Sequence, residues 1–490
     1  MEIRVHRRLV HLLVLAAMLG GSVFGVWTGQ NGLAEAEPPS QPVETTRFLL
    51  MPLMSRSFPW ANPFGVETGA ALTQGSSLLN RAVDLKLGQV RLNARISWRQ
   101  LQPVENGEIQ WSLLAGFENE LRALKAAGIK PVVVVDDYPT WSTIPGNSCG
   151  PLKTAYFQVF AEFMRNLVSR YSKPEFDVHH WELGNEPDVD PSLVPANSVY
   201  GCWGDISDNY YGGRHYGEMI KVVGPVIKAE DFTAQVWIGG LLLASPNTTD
   251  KSMGKPERFL QGILESGAAP YFDVVPYHAY TNFANQVIDY DNNNPASVWY
   301  GWGGIILGKA RFLRQVMSQY GVNKPVYINE TGLMCPEIYQ SCKPPGELFD
   351  RMQADFLVRS FVRGLSENIM GYAWYTLDGP GWRYGGLLVD HSIPKPAYDA
   401  YHQLSLQLRG SKYIEPVNYS AKIEAYAFQR GINLVHVVWA KENESLTITV
   451  PETKFLEART KYGVLISLAP VNGQYNIPVQ FDPIFILRKP

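Results

Sequence analysis

Three things are scarce in this chain, and each scarcity removes a class of protein. Cysteine comes first: 490 residues hold four, at Cys149, Cys202, Cys335 and Cys342. None precedes Cys149, so a lipid-modified cysteine at the start of a mature chain is excluded. The spacing fits no zinc pattern either, which leaves disulfides or inert thiols. Charge imbalance is the second: a formal net charge of −3, without a basic stripe, gives no electrostatic argument for nucleic acid. Long apolar runs are the third. Beyond Leu9 to Trp27, no segment is long and apolar enough to span a bilayer. A Gly-x-Gly-x-x-Gly turn is also missing after the first apolar strand, which argues against an open dinucleotide-binding sheet.

Aromatic residues are plentiful, with 13 Trp and 25 Tyr in a composition that is 46% hydrophobic. That suits a large soluble catalytic domain with a smaller one attached. An excess of aromatics in loops suits sugar rings, whose C–H faces stack on aromatic faces. Base stacking would want basic residues alongside, and they are missing.

At the N-terminus Arg4, His6, Arg7 and Arg8 precede the apolar run Leu9 to Trp27, the pattern of a secretory signal. Ala34-Glu35-Ala36 offers a small-x-small cleavage site. Residues 1–36 are therefore expected to be a signal peptide or, if uncleaved, a signal anchor. Membrane attachment is expected through that segment alone, and the rest to be exported. Residues 37–62 read as an extended, proline-rich linker and lead-in, with an apolar candidate strand over 47–54.

From Pro63 a strand–helix alternation sets in and does not break. Its strands are Phe64 to Glu67, Gln89 to Leu92, Lys130 to Val135, a run ending at Asn185, Gln235 to Gly240, Phe272 to Tyr277, Val326 to Glu330 and Gly371 to Tyr375. Each precedes an amphipathic helical stretch. Eight short, continuously apolar strands predict a closed (β/α)8 barrel over 63–410. The loops after strands are long and those after helices short, which builds up the face where barrel enzymes keep their sites. Past Gly410 short alternating strands, with a hairpin turn at Gln429-Arg430-Gly431, predict a β-sandwich-like domain over 411–490. About 80 residues is marginal alone, so it should pack on the barrel.

Two strands end alike. Trp181-Glu182-Leu183-Gly184-Asn185-Glu186-Pro187 follows Phe176 to His180, read as the start of that strand, and proline stops the ladder. Lys324-Pro325-Val326-Tyr327-Ile328-Asn329-Glu330 is again an apolar strand closing on Asn-Glu. Two strands each delivering a glutamate at the C-terminal end are what two-carboxylate glycoside hydrolysis needs.

A fourth strand ending Asn-Glu-Pro and a seventh ending in Glu resemble the clan A glycoside hydrolases, over about Pro63 to Leu408. Within that clan the fourth-strand stretch and Tyr138-Pro139-Thr140-Trp141 are most similar to family 39 enzymes, with family 5-like enzymes as the alternative. The resemblance implies that Glu186 is the general acid/base and Glu330 the nucleophile. Two carboxylates about 5 Å apart cannot both ionise freely, so one stays protonated as the acid. It further implies substrate-binding roles for Asn185, for Arg91 beside the nucleophile, for His278 and Tyr280, and for Trp374 as the floor of a subsite. Asp137, Trp141 and Trp382 join them as sugar-contact candidates. Glu182 shares the strand of Glu186 and reads as a charge partner of Arg91 or Arg95. Phe283, Tyr290, Trp299, Trp302, Trp382 and Tyr384 crowd the long loops and favour a groove for several sugar units.

The expected protein is a retaining glycoside hydrolase acting on a polysaccharide or oligosaccharide, monomeric, without metal or cofactor. The alternatives are a transglycosylase on the same scaffold and a catalytically silent carbohydrate-binding protein. Cys335 and Cys342 share one loop, while Cys149 and Cys202 lie in loops after neighbouring strands. The expected pairs are 335–342 and 149–202.

Overall fold

Hydrogen bonding runs around eight parallel strands in a computed structural model that describes residues 62–490, apart from 74–75, 145–147, 196, 199, 293 and 296. The expectations for 1–61 (the signal, the linker and the strand at 47–54) lie outside the described residues. The strands are β1 (Phe64–Thr68), β2 (Gln89–Ser97), β3 (Lys130–Asp136), β4 (His180–Asn185), β5 (Gln235–Gly240), β6 (Val275–Asn282), β7 (Val326–Met334) and β8 (Tyr372–Trp374). Their order is β5-β4-β3-β2-β1-β8-β7-β6. The bridges Trp237↔Val274 and Leu241↔Tyr277 close the barrel between β5 and β6. The helices that follow the strands are α1 (Ser76–Asp84), α2 (Ala115–Ala126), α3 (Phe157–Tyr171), α4 (Gly213–Glu230), α5 (Phe259–Glu265), α6 (Gly304–Gln319), α7 (Glu347–Ser366) and α8 (Pro396–Leu408). The (β/α)8 expectation is met.

Strand alternation decides what fills the barrel. Val132, Trp237, Val274, Tyr327, Met370 and Ala373 form one small apolar cluster, apart from the larger core shared with the helices. Two residues on along β7 from Tyr327, the same face presents Asn329, which bonds Glu182. Apolar packing thus gives way to a charged layer below the mouth.

The fourth strand starts four residues later than the sequence predicts, and the sixth starts at Val275 instead of Phe272. Phe176 to His179 is turn and irregular backbone, and β4 begins at His180. Phe176 and Val178 are buried, but Asp177 between them has a φ of +60°, which no strand residue adopts.

The C-terminal part holds β9 (Lys412–Pro416), β10 (Ile423–Arg430), β11 (Asn433–Ala440), β12 (Leu446–Pro451), β13 (Phe455–Thr460), β14 (Gln474–Val479) and β15 (Ile484–Arg488). Five form an antiparallel sheet ordered β13-β15-β11-β10-β9, and β12 pairs with β14. Gln429 and Arg430 stay in the ladder, so the hairpin turn is Gly431-Ile432, with Gly431 at a φ of +60°. Phe428, Val435, Val437, Trp439, Phe481 and Phe485 join the core of the barrel. Alternate residues such as Ala425, Val438, Val450 and Ile477 form a separate small core. Disulfides join Cys149 to Cys202 and Cys335 to Cys342.

Candidate active site

The end of β4 departs from strand geometry. Gly184 has a φ of +93° and Glu186, just past the strand, a φ of +47°. A non-glycine residue keeps such a conformation only where its surroundings over-determine it. The Glu186 amide donates to the Gly240 carbonyl at 2.9 Å, which ties it to β5. Gly240 itself has to lack a side chain, because a Cβ there would overlap Asn329 and His278.

Across the barrel, Glu330 on β7 is held on both oxygens. Arg91 Nη1 donates to Oε1 at 2.6 Å and the Tyr280 hydroxyl to Oε2 at 2.5 Å. His278 Nδ1 lies 2.8 Å from Glu186 Oε1 and 3.4 Å from Glu330 Oε2, so one imidazole bridges the two acids. Carboxylate oxygens of Glu186 and Glu330 lie within 4.8 Å of each other. By distance, Glu186, His278 and Glu330 could hold a cation. Arg91 already supplies positive charge at Glu330.

Arg91 is the hub of the layer beneath. Its Nε and Nη2 meet Glu182 at 2.8 and 2.9 Å, Nη2 meets Asn185 Oδ1 at 2.6 Å, and Nη1 also pairs with Glu67. Burial works to lower its pKa, but Glu182, Glu67 and Glu330 outweigh that and hold it well above the ordinary value. The guanidinium is a permanent cation. Glu182 receives a further bond from Asn329 at 2.8 Å and one from the Gly240 amide at 3.0 Å. Arg91 is thus the charge partner of Glu182; the side chain of Arg95 lies outside the described atoms. Tyr280 is pushed well above its ordinary pKa by burial and by the charge of Glu330, so its hydroxyl remains a donor.

Both acids open into a cavity of about 540 Å³, also lined by Asn185, His278, Tyr280, Tyr375 and, at the rim, Tyr200, Tyr339 and Trp382. Phe283 and Trp299 line it as well, whereas Tyr290, Trp302 and Tyr384 do not. Tyr290 supports the loop from behind, its hydroxyl accepting from the Ala284 amide at 3.1 Å.

Three expected sugar contacts lie elsewhere. Trp374 is fully buried, donates to the Gly385 carbonyl at 2.9 Å and packs on Phe356 of α7. Alternation along β8 turns Trp374 outward and Tyr375 inward, so the tyrosine lines the cavity in its place. Asp137 pairs with Arg99 at 2.9 Å and accepts from Ser97, bracing the end of β2. Trp141 packs edge-on against Trp98 and donates to the Pro103 carbonyl.

Two residues beside the acids escaped the sequence analysis. Asp188 accepts from the Leu242 and Leu243 amides, both at 2.8 Å. Burial raises its pKa to about 6 against the pull of those amides. Lys309, on α6, lines the cavity and donates to the carbonyls of Leu242 and His278 at 2.7 Å. Burial lowers its pKa to about 7, opposed by Asp188 and Glu186. The position of Asp188, two residues past Glu186, was a usable signal. A lysine in the middle of a helix carried none.

No family model matches the sequence, and no curated protein does. Solved structures do match, at low identity. A family 39 glycoside hydrolase from the gut symbiont Bacteroides cellulosilyticus is 17% identical, over 88% of this chain and 81% of its own, with a TM-score of 0.63. A family 39 β-xylosidase from Caulobacter crescentus is also 17% identical, over 89% and 97%, with a TM-score of 0.57. A family 30 subfamily 8 xylanase from Clostridium acetobutylicum is 12% identical, over 87% and 96%, with a TM-score of 0.57. The chain therefore has the fold of family 39 and family 30 glycoside hydrolases, a parallel barrel with an all-β appendage.

Proposed function

We propose that this protein is a retaining glycoside hydrolase in which Glu330 is the nucleophile and Glu186 the general acid/base. The observation that carries this is the pair of carboxylates from β4 and β7, whose oxygens approach within 4.8 Å at the floor of one cavity. Retaining enzymes hold their carboxyl groups about 5–5.5 Å apart, and inverting ones about 6.5–9.5 Å apart to admit a water. In the first step Glu330 attacks the anomeric carbon while Glu186 gives its proton to the leaving oxygen. In the second, Glu186 takes a proton from water, whose oxygen displaces Glu330 from the sugar. Arg91 and Tyr280 hold the nucleophile in place, and His278 lies between the two acids. Asn185, its carbonyl oxygen taken by Arg91, has an amide donor left for a sugar hydroxyl.

Rim aromatics Tyr200, Tyr339 and Trp382 favour an oligosaccharide or polysaccharide over a single sugar. Export is supported by the two disulfides and by the charged-then-apolar N-terminus. One of the Caulobacter β-xylosidase structures is of a monomeric enzyme, and we take this chain to be monomeric too. Screening aryl glycosides and polysaccharides, beginning with aryl xylosides and xylan, identifies the substrate. An NMR time course on the first active one should show the product anomer of unchanged configuration. Initial appearance of the opposite anomer, or turnover surviving Glu330→Ala, would overturn the assignment.

A further inference from the structure

Glu186 has a backbone conformation that a non-glycine residue does not hold unaided. A closed circuit of contacts around it supplies the constraint. Its carboxylate meets the imidazole of His278 at 2.8 Å. The carbonyl of that histidine accepts from Lys309 Nζ at 2.7 Å, and the same ammonium donates to the Leu242 carbonyl. The Leu242 and Leu243 amides then donate to the two oxygens of Asp188, which returns the circuit to the chain two residues after Glu186. Four elements contribute: the segment after β4, the segment after β5, β6 and α6.

We propose that Lys309 and Asp188 are positioning residues of the acid/base, clamping Glu186 from its side chain and from its backbone at once. The inference rests on the assignment of Glu186 as the acid.

Three features favour a clamp over incidental packing. Lys309 is buried, with only 4% of its surface exposed, yet it has no carboxylate within ion-pairing distance among the described residues. Burying that amine is costly, and the bonds that offset the cost go to the backbone of two segments beside Glu186, the one after β5 and β6. Asp188 is equally buried and spends both oxygens on consecutive amides of one loop. The two residues grip the Leu242–Leu243 peptide from opposite sides, Lys309 on its carbonyl oxygen and the Asp188 carboxylate on its N–H. The titratable groups around Glu186 are His278, Glu330, Asp188 and Lys309, with Arg91 and Glu67 behind Glu330. Lys309 is the cation among them that reaches the acid/base side of the cavity.

The test uses the full chain with Lys309→Met and Asp188→Asn. Deuterium exchange of the free protein should quicken in peptides covering 186–190 and 241–244 in both variants, while the melting transition stays cooperative. Kinetics on two glycosides of one sugar, dinitrophenyl and phenyl, should split. In the first step a misplaced acid matters only where the leaving group needs a proton, so kcat/KM on the phenyl glycoside should fall about tenfold or more. On the dinitrophenyl glycoside kcat/KM should change by no more than about twofold, while kcat and KM there fall together, because Glu186 is also the base of the second step. Equal losses of kcat/KM on the two substrates, or unchanged exchange at 186–190, would overturn the clamp. Exchange needs no turnover, so it decides on the clamp even if the chain cleaves no glycoside, and the two proposals can fail separately. Should Lys309→Met not fold, Asp188→Asn carries both measurements.

Discussion

Arg363 of α7 and Glu424 of β10 join the barrel to its appendage: Nε and Nη2 of the arginine each donate to the carboxylate at 2.8 Å. The other edge of the guanidinium faces Asp289 and Asp291, with Nη1 3.1 Å from an oxygen of each. Burial works to raise Asp289, but Arg363 and Arg359 outweigh it and hold the carboxyl below its usual range. Those aspartates belong to the loop that carries Phe283 and Trp299 into the cavity. The β domain therefore supports one wall of the candidate site.

Arg363→Met should accordingly destabilise the protein by about 3–5 kcal/mol, because buried carboxylates lose their partner. Truncation after Gly410 should give insoluble or strongly destabilised protein, since Trp439, Phe481 and Phe485 would leave the shared core. Urea unfolding checks the first and expression of the shortened chain the second. A stable, soluble barrel with weakened polysaccharide binding would instead make the appendage a detachable binding module.

Tyr280→Phe should lower kcat by roughly 10- to 100-fold, the range for one hydrogen bond to a charged group. The loss should appear with every leaving group, because Tyr280 touches the nucleophile and not the acid. Steady-state kinetics on activated and unactivated glycosides check this, and a loss confined to unactivated ones would argue against it.

The two disulfides should differ in weight. Cys149–Cys202 closes a span of 53 residues and Cys335–Cys342 one of 7. Loop-closure entropy then assigns about 4 kcal/mol to the first and about 2 kcal/mol to the second. Paired Cys→Ala variants compared by thermal melting should rank in that order.

Acid should weaken the fold through His180. Burial, helped by the charge of Lys130, lowers its pKa from 6.5 to about 3. Between those values the unfolded chain binds the proton and the folded one does not, so this contribution to stability is lost as pH falls from 6.5 toward 3. Each unit is worth about 1.4 kcal/mol. His180→Phe should therefore lose less stability than the parent between pH 7 and pH 4.5, measured by urea unfolding. Equal losses would remove His180 from the acid response.

Local pattern was enough for the architecture and for singling out Glu186 and Glu330, which the barrel brings together. Short, β-branched apolar runs such as Lys130 to Val135 read as strands buried on both faces, and eight of them alternating with amphipathic helices leave few ways to close a sheet. Proline after Glu186 marked where one carboxylate leaves its ladder, whereas Glu330, read as a strand end, stays inside its own, because β7 pairs with β6 as far as Met334. Even the cysteine pairs followed once neighbouring strands were known. Tertiary structure decided the rest, because it depended on phase and on distance in sequence. Trp374 and Tyr375 are adjacent, so they face opposite ways, and only the place of β8 in the closed barrel decided that the tryptophan is out and the tyrosine in. Asp137 looked free until the barrel brought Arg99 against it. Phe176 to His179 has the composition of a strand but meets a turn at Asp177. Lys309 lies 123 residues from Glu186 in a helix with no motif around it. Its place beside the acid comes from ring closure alone, which packs α6 against the ends of β5 and β6 and so delivers its ammonium to their carbonyls.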